Sequence, residues 1–185
     1  MLFRSLGEML RFLQALPSRH LPLESDLGIV DDGSAITGEV MNLLARRNLL
    51  FDVVPEPTRR FKINIQIGTP EYPREEAADP SAFALKIRRQ VTDDLRSLRV
   101  YGSEVVICRL TGDDAGAELH LINYGGREIQ GLRIRVRGVY SAGQAHVAGA
   151  GRLDLEDRST DGSFTEFTIP RLTTYAVVDL ARIRF

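Results

Sequence analysis

The stretch LRIRVRGV, residues 132–139, alternates apolar and charged side chains at two-residue spacing. Successive side chains of a strand point to opposite faces, so Leu132, Ile134 and Val136 share one face and Arg133, Arg135 and Arg137 the other. A slip of one residue would drive three guanidinium groups into the core, so the alternation fixes the register of a half-buried strand. Similar short apolar segments flank it, at residues 105–110, 118–122, 164–169 and 175–180. They are divided by turn residues at Gly112-Asp113-Asp114, Gly125-Gly126, Gly143 and Asp161-Gly162. About six or seven strands over residues 99–185 predict an antiparallel β-sandwich of immunoglobulin-like (Ig-like) size.

Upstream of residue 98 the texture differs. DLGIVDD (26–32) reads as a short buried strand, Gly33-Ser34 as a turn with Ser34 as helix N-cap, and Val40, Met41, Leu43 and Leu44 as the apolar side of a helix. Arg46 and Arg47 suit the negative end of its dipole, and residues 49–54 form a second strand. This strand-helix-strand unit implies a parallel pair, the beginning of an α/β sheet. The pattern then lapses. Phe61, Ile63, Ile65 and Ile67 alternate with Lys62, Asn64 and Gln66 as one strand, and residues 68–79 read as a loop. Asp79-Pro80 starts a helix whose stripe is Phe83, Ile87, Val91 and Leu95. Before all of this, Leu2, Leu6, Met9, Leu10, Leu13 and Leu16 recur at three- and four-residue steps, predicting an amphipathic helix that stops before Pro17. The expected class is therefore α+β. It comprises an amphipathic N-terminal helix (1–24), an abbreviated α/β segment (25–98) and a β-sandwich (99–185).

Composition narrows function more than it defines it. Against 25 Asp and Glu stand 24 Lys and Arg, so no global field steers the chain to nucleic acid or to an anionic membrane. No stretch approaches the roughly 20 apolar residues that span a bilayer, and Glu8 and Arg11 interrupt the N-terminal apolar run before it reaches signal-peptide length. A single cysteine, Cys108, rules out an internal disulfide framework and leaves the compartment open.

Candidate chemistry is sparse. Asp31 and Asp32 stand where a parallel strand meets its helix, the ligand edge of an α/β sheet, but Asp and Gly are also the residues of turns and caps, and that reading is preferred. DDGSAITG lacks both the G-x-G-x-x-G fingerprint and a P-loop lysine. Cys108 lies inside an apolar strand, where a thiol has little thiolate to offer. His20, His120 and His146 lack the close spacing of a metal site, and Leu119 and Leu121 leave His120 on the outward face of its strand. A glycosidase needs two carboxyl groups facing each other roughly 5 to 10 Å apart. Glu75-Glu76 and Asp93-Asp94 are adjacent, point apart, and read as solvated charge. The stripe Arg133, Arg135, Arg137 could grip phosphate or an acidic glycan, although a solvated face paired with cross-strand acids is the preferred reading. The chain has no Trp to stack on a sugar, and Tyr101, Tyr124, Tyr140 and Tyr175 lie in or near strands.

The segments MNLLARRN, YGSEVVICRL, LHLINYGGREIQGLRIRV and TEFTIPRLTTYAVVDL resemble the C-terminal portion of bacterial glycoside-hydrolase-like, β-galactosidase-like proteins. In those, a catalytic barrel is followed by an amidotransferase-like α/β domain and a terminal β-sandwich. The resemblance runs over residues 26–180 and is strongest in the β-rich half. These residues contain no barrel to carry paired carboxylates, and the α/β part is short, so no family catalytic residue transfers to any position. The resemblance implies a non-catalytic structural or assembly module, with no catalytic, cofactor-binding or metal-ligating residue assigned and no cofactor. Its partner would be another domain or subunit of a carbohydrate-active protein. A carbohydrate-binding module and a small hydrolase with an unrecognised site are the alternatives.

Overall fold

The computed structural model describes residues 2–16 and 20–182, with side chains from residue 6 onward. Pro17, the expected stop of the first helix, and the side chain of Leu2, expected on its apolar face, lie outside the described residues. That helix, α1 (Leu2–Ala15), forms as its periodicity requires.

The α/β unit begins with β1 (Leu27–Val30), α2 (Ala35–Arg46), β2 (Phe51–Val54) and β3 (Ile63–Ile65), all three strands parallel in the order β2-β1-β3. Ser34 caps α2, its Oγ accepting from the Thr37 amide at 3.2 Å. No helix joins β2 to β3. Instead the chain returns irregularly and lays the Phe61 ring against Gly28, where a Cβ would stand 2.8 Å from Phe61 Cδ2. Asn64 closes this return by donating to the carbonyls of Thr58 and Phe61 and accepting from the Thr58 amide. The core under the sheet comes from Leu27, Ile29, Val40, Leu44 and Ile65, together with Phe83 and Ile87.

Two helices follow, α3 (Arg74–Ala77), within a segment expected as loop, and α4 (Pro80–Gln90), capped by Asp79. The stripe expected through Leu95 is shorter than the spacing suggested. α4 ends at Gln90, because the Arg88 guanidinium donates to the Val91 carbonyl and to Asp93 and turns the chain. Val91 and Leu95 still pack on the same core from beyond the helix.

The remaining strands are β4 (Leu98–Tyr101), β5 (Val106–Gly112), β6 (Gly116–Asn123), β7 (Ile129–Arg137), β8 (Tyr140–Val147), β9 (Gly151–Asp154), β10 (Glu156–Asp161), β11 (Phe164–Leu172) and β12 (Tyr175–Arg182). They build two antiparallel sheets, β10-β11-β7-β4 and β5-β6-β12-β8-β9. Leu132, Ile134, Val136, Phe167 and Ile169 of the first meet Leu119, Leu121, Val147, Val178 and Leu180 of the second in one buried core. The alternation at 132–136 thus sets the register as expected. Among the described residues this part has nine strands, more than the six or seven expected. Gly143, expected in a turn, lies within β8, where a Cβ would come within 2.6 Å of Leu155 and 2.8 Å of Leu180, so the glycine serves close packing. β10 is exposed along its whole length and carries no apolar period; pairing with β11 holds it.

β5 is an edge strand of its sheet, and the segment leading into β1 together with Asn48, just past α2, covers it. The Glu24 amide donates to Leu110 O and the Gly112 amide to Pro22 O. Asn48 donates through Nδ2 to Val106 O and accepts at Oδ1 from the Cys108 amide, both at 2.8 Å. Asn48 is 6% exposed and has φ 53°, a left-handed conformation that asparagine tolerates better than most residues. Asn48→Ala should cost roughly 2–4 kcal/mol, since it leaves a buried donor and acceptor without partners. Asn48→Gly should cost nearly as much, because it relieves the backbone and not the lost bonds. Urea unfolding midpoints test both; a loss below 1 kcal/mol, on the order of one ordinary surface bond, would remove this side chain from the seam.

Candidate functional site on the outer face of the five-stranded sheet

Strand register brings together residues far apart in sequence. Val177 on β12 stands between His120 on β6 and His146 on β8. Arg109 on β5 faces His120 from the far side, and Arg152 on β9 faces His146. The outer face therefore carries a row Arg109, His120, Val177, His146, Arg152 across all five strands. The neighbouring row is Thr111, Glu118, Asp179, Gln144, Asp154. Directly opposed residues in antiparallel strands have Cβ atoms about 4.5–5.5 Å apart, so the register brings Glu118 and Asp179 side by side on this face.

Each histidine has a carboxylate beside it. His146 Nε2 is 3.3 Å from Asp179 Oδ2, and His120 Nε2 is 3.9 Å from Glu118 Oε2. His120 Nδ1 also lies 2.7 Å from the Tyr175 hydroxyl, on whose ring Phe12 of α1 packs edge-on at 5.9 Å. A neutral imidazole with its proton on Nε2 accepts the Tyr175 O–H at Nδ1. Burial lowers the His120 pKa below 6.5, and the Arg109 charge lowers it further, with Asp179 opposing. Burial, and secondarily Glu118, raises that of Tyr175. A cleft of about 700 Å³ runs past Gln144, His146, Arg152 and Asp179, with His20 and Leu21 on its rim. A second, of about 380 Å³, runs between Leu13 and Leu16 and the group of Arg109, Glu118, His120 and Tyr175. Such a surface offers paired donors and acceptors to a hydroxyl-rich ligand. Among the described residues no group of three or more His, Cys, Asp or Glu is arranged to hold a metal.

Of the residues singled out in the sequence, the three histidines and Tyr175 lie at this face, and the others lie elsewhere. Asp31 and Asp32 accept from the amides of Gly33 and Ser34, and Asp32 also binds Arg74 at 2.7 Å. Hydrogen bonds from Ser34 and Thr37 hold the Asp32 carboxyl well below the usual range. That is turn and cap chemistry. Cys108 is half-buried on the core side of β5, where desolvation pushes its thiol up. Glu76 pairs with Lys86. Arg133 and Arg135 share Glu166 from the adjacent β11, and Arg135 and Arg137 lie over the Phe164 ring. Asp93 departs from the solvated reading: three arginines converge on it. Glu118 and Asp179 were missed because their strands are consecutive in the sheet and not in the chain.

No family model matches the sequence, and no curated protein does. Among solved structures, α-L-fucosidase isoenzyme 2 from Paenibacillus thiaminolyticus superposes with a TM-score of 0.66 at 8% identity, over 88% of this chain and 49% of that one. The chain shares its fold with part of that fucosidase. At such identity the likeness is one of fold alone, and this chain spans about half the length of the fucosidase. A rhamnosidase from Novosphingobium sp. PP1Y (TM-score 0.42, 13% identity, 55% of this chain and 10% of that one) and a GH30 endoxylanase from Clostridium papyrosolvens C71 (0.33, 10%, 85% and 49%) are too dissimilar to support an argument.

Because the folded His120 pKa lies below its unfolded value, the unfolded chain binds the extra proton first. Stability should therefore fall as pH drops from 6.5 toward the folded pKa. Titration by NMR should place the His120 midpoint below 6.5, and His120→Gln should flatten that part of the pH–stability curve. A midpoint at or above 6.5 would contradict the burial argument.

Proposed function

We propose that this chain is a non-catalytic structural or assembly module of a glycoside-hydrolase-like bacterial protein, docked through α1 onto another domain or subunit of that protein. The observation that carries this reading is the free side of α1. Leu6, Leu10 and Leu13 follow the helical i, i+4, i+7 spacing and are 56%, 50% and 44% exposed, while Phe12 turns onto Tyr175. Apolar surface left in water forgoes about 25 cal/mol per Å², so a covering surface gains affinity there. The shared fold supports the same reading, since it accounts for 49% of the fucosidase chain and leaves a comparable length to dock against. On this reading residues 1–24 carry the docking helix, 25–98 the abbreviated α/β unit and 99–185 an Ig-like sandwich.

A second reading, a carbohydrate-binding module, is favoured by the 700 Å³ cleft with its His146–Asp179 pair. Calorimetry against a panel of neutral oligosaccharides separates the two. Docking predicts no heat from any sugar, whereas saturable heat abolished by Asp179→Asn would establish the second reading. Docking also predicts that the wild-type chain scatters light above its 20.6 kDa monomer mass as concentration rises. A Leu6→Ser, Leu10→Ser, Leu13→Ser variant should stay at that mass with an unchanged unfolding midpoint. A wild-type chain that remains monomeric throughout would remove the apolar face as an adhesive surface.

A further inference from the structure

Where the α/β unit meets the sandwich, a cavity of about 560 Å³ opens between the end of α2, α4 and β4. Five arginines line it: Arg46, Arg47, Arg88, Arg96 and Arg99. Asp93 is the carboxylate that answers three of them, receiving Arg88 at 3.1 Å, Arg99, and Arg96 at 3.9 Å. The only carboxylate among the cavity-lining residues is Glu104. Arg96 is the least ordinary member. It is 6% exposed, its Nη2 reaches the carbonyls of Arg47 and Asn48 only at 3.4 Å, and its Nε has no hydrogen-bond partner among the described residues.

A buried guanidinium with an unanswered donor costs free energy, and it does not escape by losing its proton. Burial and the charges of Arg88 and Arg99 lower its pKa, yet arginine remains cationic at any physiological pH. Three guanidinium groups around one carboxylate leave a surplus of positive charge in a partly desolvated space. Planar N–H forks match the oxygens of phosphate and sulfate in pairs. Ser103 and Tyr124 add polar groups at the margin, and Arg46 lies over the Tyr124 ring. The volume exceeds what a bare ion fills and lies in the range of small-molecule sites.

We propose that this cavity binds a tetrahedral oxyanion, phosphate or sulfate, either free or as the ester on a molecule of monosaccharide size. Arg88, Arg96 and Arg99 supply the charge, and Asp93 holds their forks in place. The site lies apart from α1 and from the outer face of the five-stranded sheet, so it stands or falls independently of the docking reading.

The test is calorimetry at low ionic strength on the full chain, with inorganic phosphate, inorganic sulfate, glucose 6-phosphate and, as control, glucose. Saturable binding of either ion is expected, weaker by on the order of tenfold or more in an Arg88→Gln/Arg99→Gln variant and unchanged in Arg171→Gln, whose arginine pairs with Glu128 elsewhere on the surface. Arg96→Lys, which keeps charge and loses the fork, should also weaken it. Should Arg96→Lys fail to fold by circular dichroism, the Arg88/Arg99 variant decides, since both side chains are about a third exposed. Tighter binding of glucose 6-phosphate than of phosphate assigns the site to an ester, and equal or weaker binding assigns it to the free ion. Absence of saturable heat from all three anions, or equal affinities in wild type and the Arg88/Arg99 variant, overturns the proposal.

Discussion

The two hydrogen bonds of the Asn48 side-chain amide to β5 are the constraint on which the rest depends. An edge strand presents unpaired N–H and C=O groups that invite pairing with any passing chain. Here the exposed side of β5 is answered within the molecule, by the segment at residues 22–24 and by the Asn48 side chain standing in for a strand neighbour. Occupying that edge ties the sandwich to the α/β unit. Asp26 reinforces the tie, its carboxylate accepting twice from the Ser97 amide, while burial raises its pKa. β1 and β4 are thereby held at a fixed separation, and α2 must end where Asn48 can turn toward β5.

With one edge sealed and one face buried, the five-stranded sheet has its outer face left for polar residues. That face assembles the row of His120 and His146, and the Glu118–Asp179 row beside it, from five strands whose order in space is not their order in the chain. The local alternation behind the rows is visible in the sequence, since Leu119 and Leu121 leave Glu118 and His120 outward. What alternation lacks is lateral information. It states which way a side chain points and is silent on which strand comes next. His120 and His146 therefore look scattered until β12 is placed between their strands.

The same limit explains which elements were legible. Residues 132–136 could be read because burial of one face and charge on the other leave a single register. α2 could be read because Ser34 and the Arg46-Arg47 pair mark both ends. β10, EDRSTD, has no apolar residue to show a period and exists through its backbone bonds to β11. β8 was obscured by Gly143, whose missing Cβ serves Leu155 and Leu180 and not a turn. The overrun of α4 has a comparable cause, since Val91 and Leu95 continue the apolar spacing, but Arg88 folds back onto the Val91 carbonyl and ends the helix early.

Arg96 shows why the seam, rather than either sheet face, accumulates unbalanced charge. The carbonyls at the end of α2 carry the negative pole of the helix dipole, and a cation set against them is favoured. Arg96 takes that place, reaching the Arg47 and Asn48 carbonyls, and Asn48 is at the same time committed to β5. The guanidinium is thus positioned by the residue that joins the two units, at a spacing too long to satisfy it fully. Moving Arg96 closer to the carbonyls would draw it away from Asp93, while moving it toward Asp93 would abandon the helix end. A geometry fixed by the seam leaves the arginine between two partial partners, and an anion entering from the cavity would relieve both deficits without disturbing Asn48.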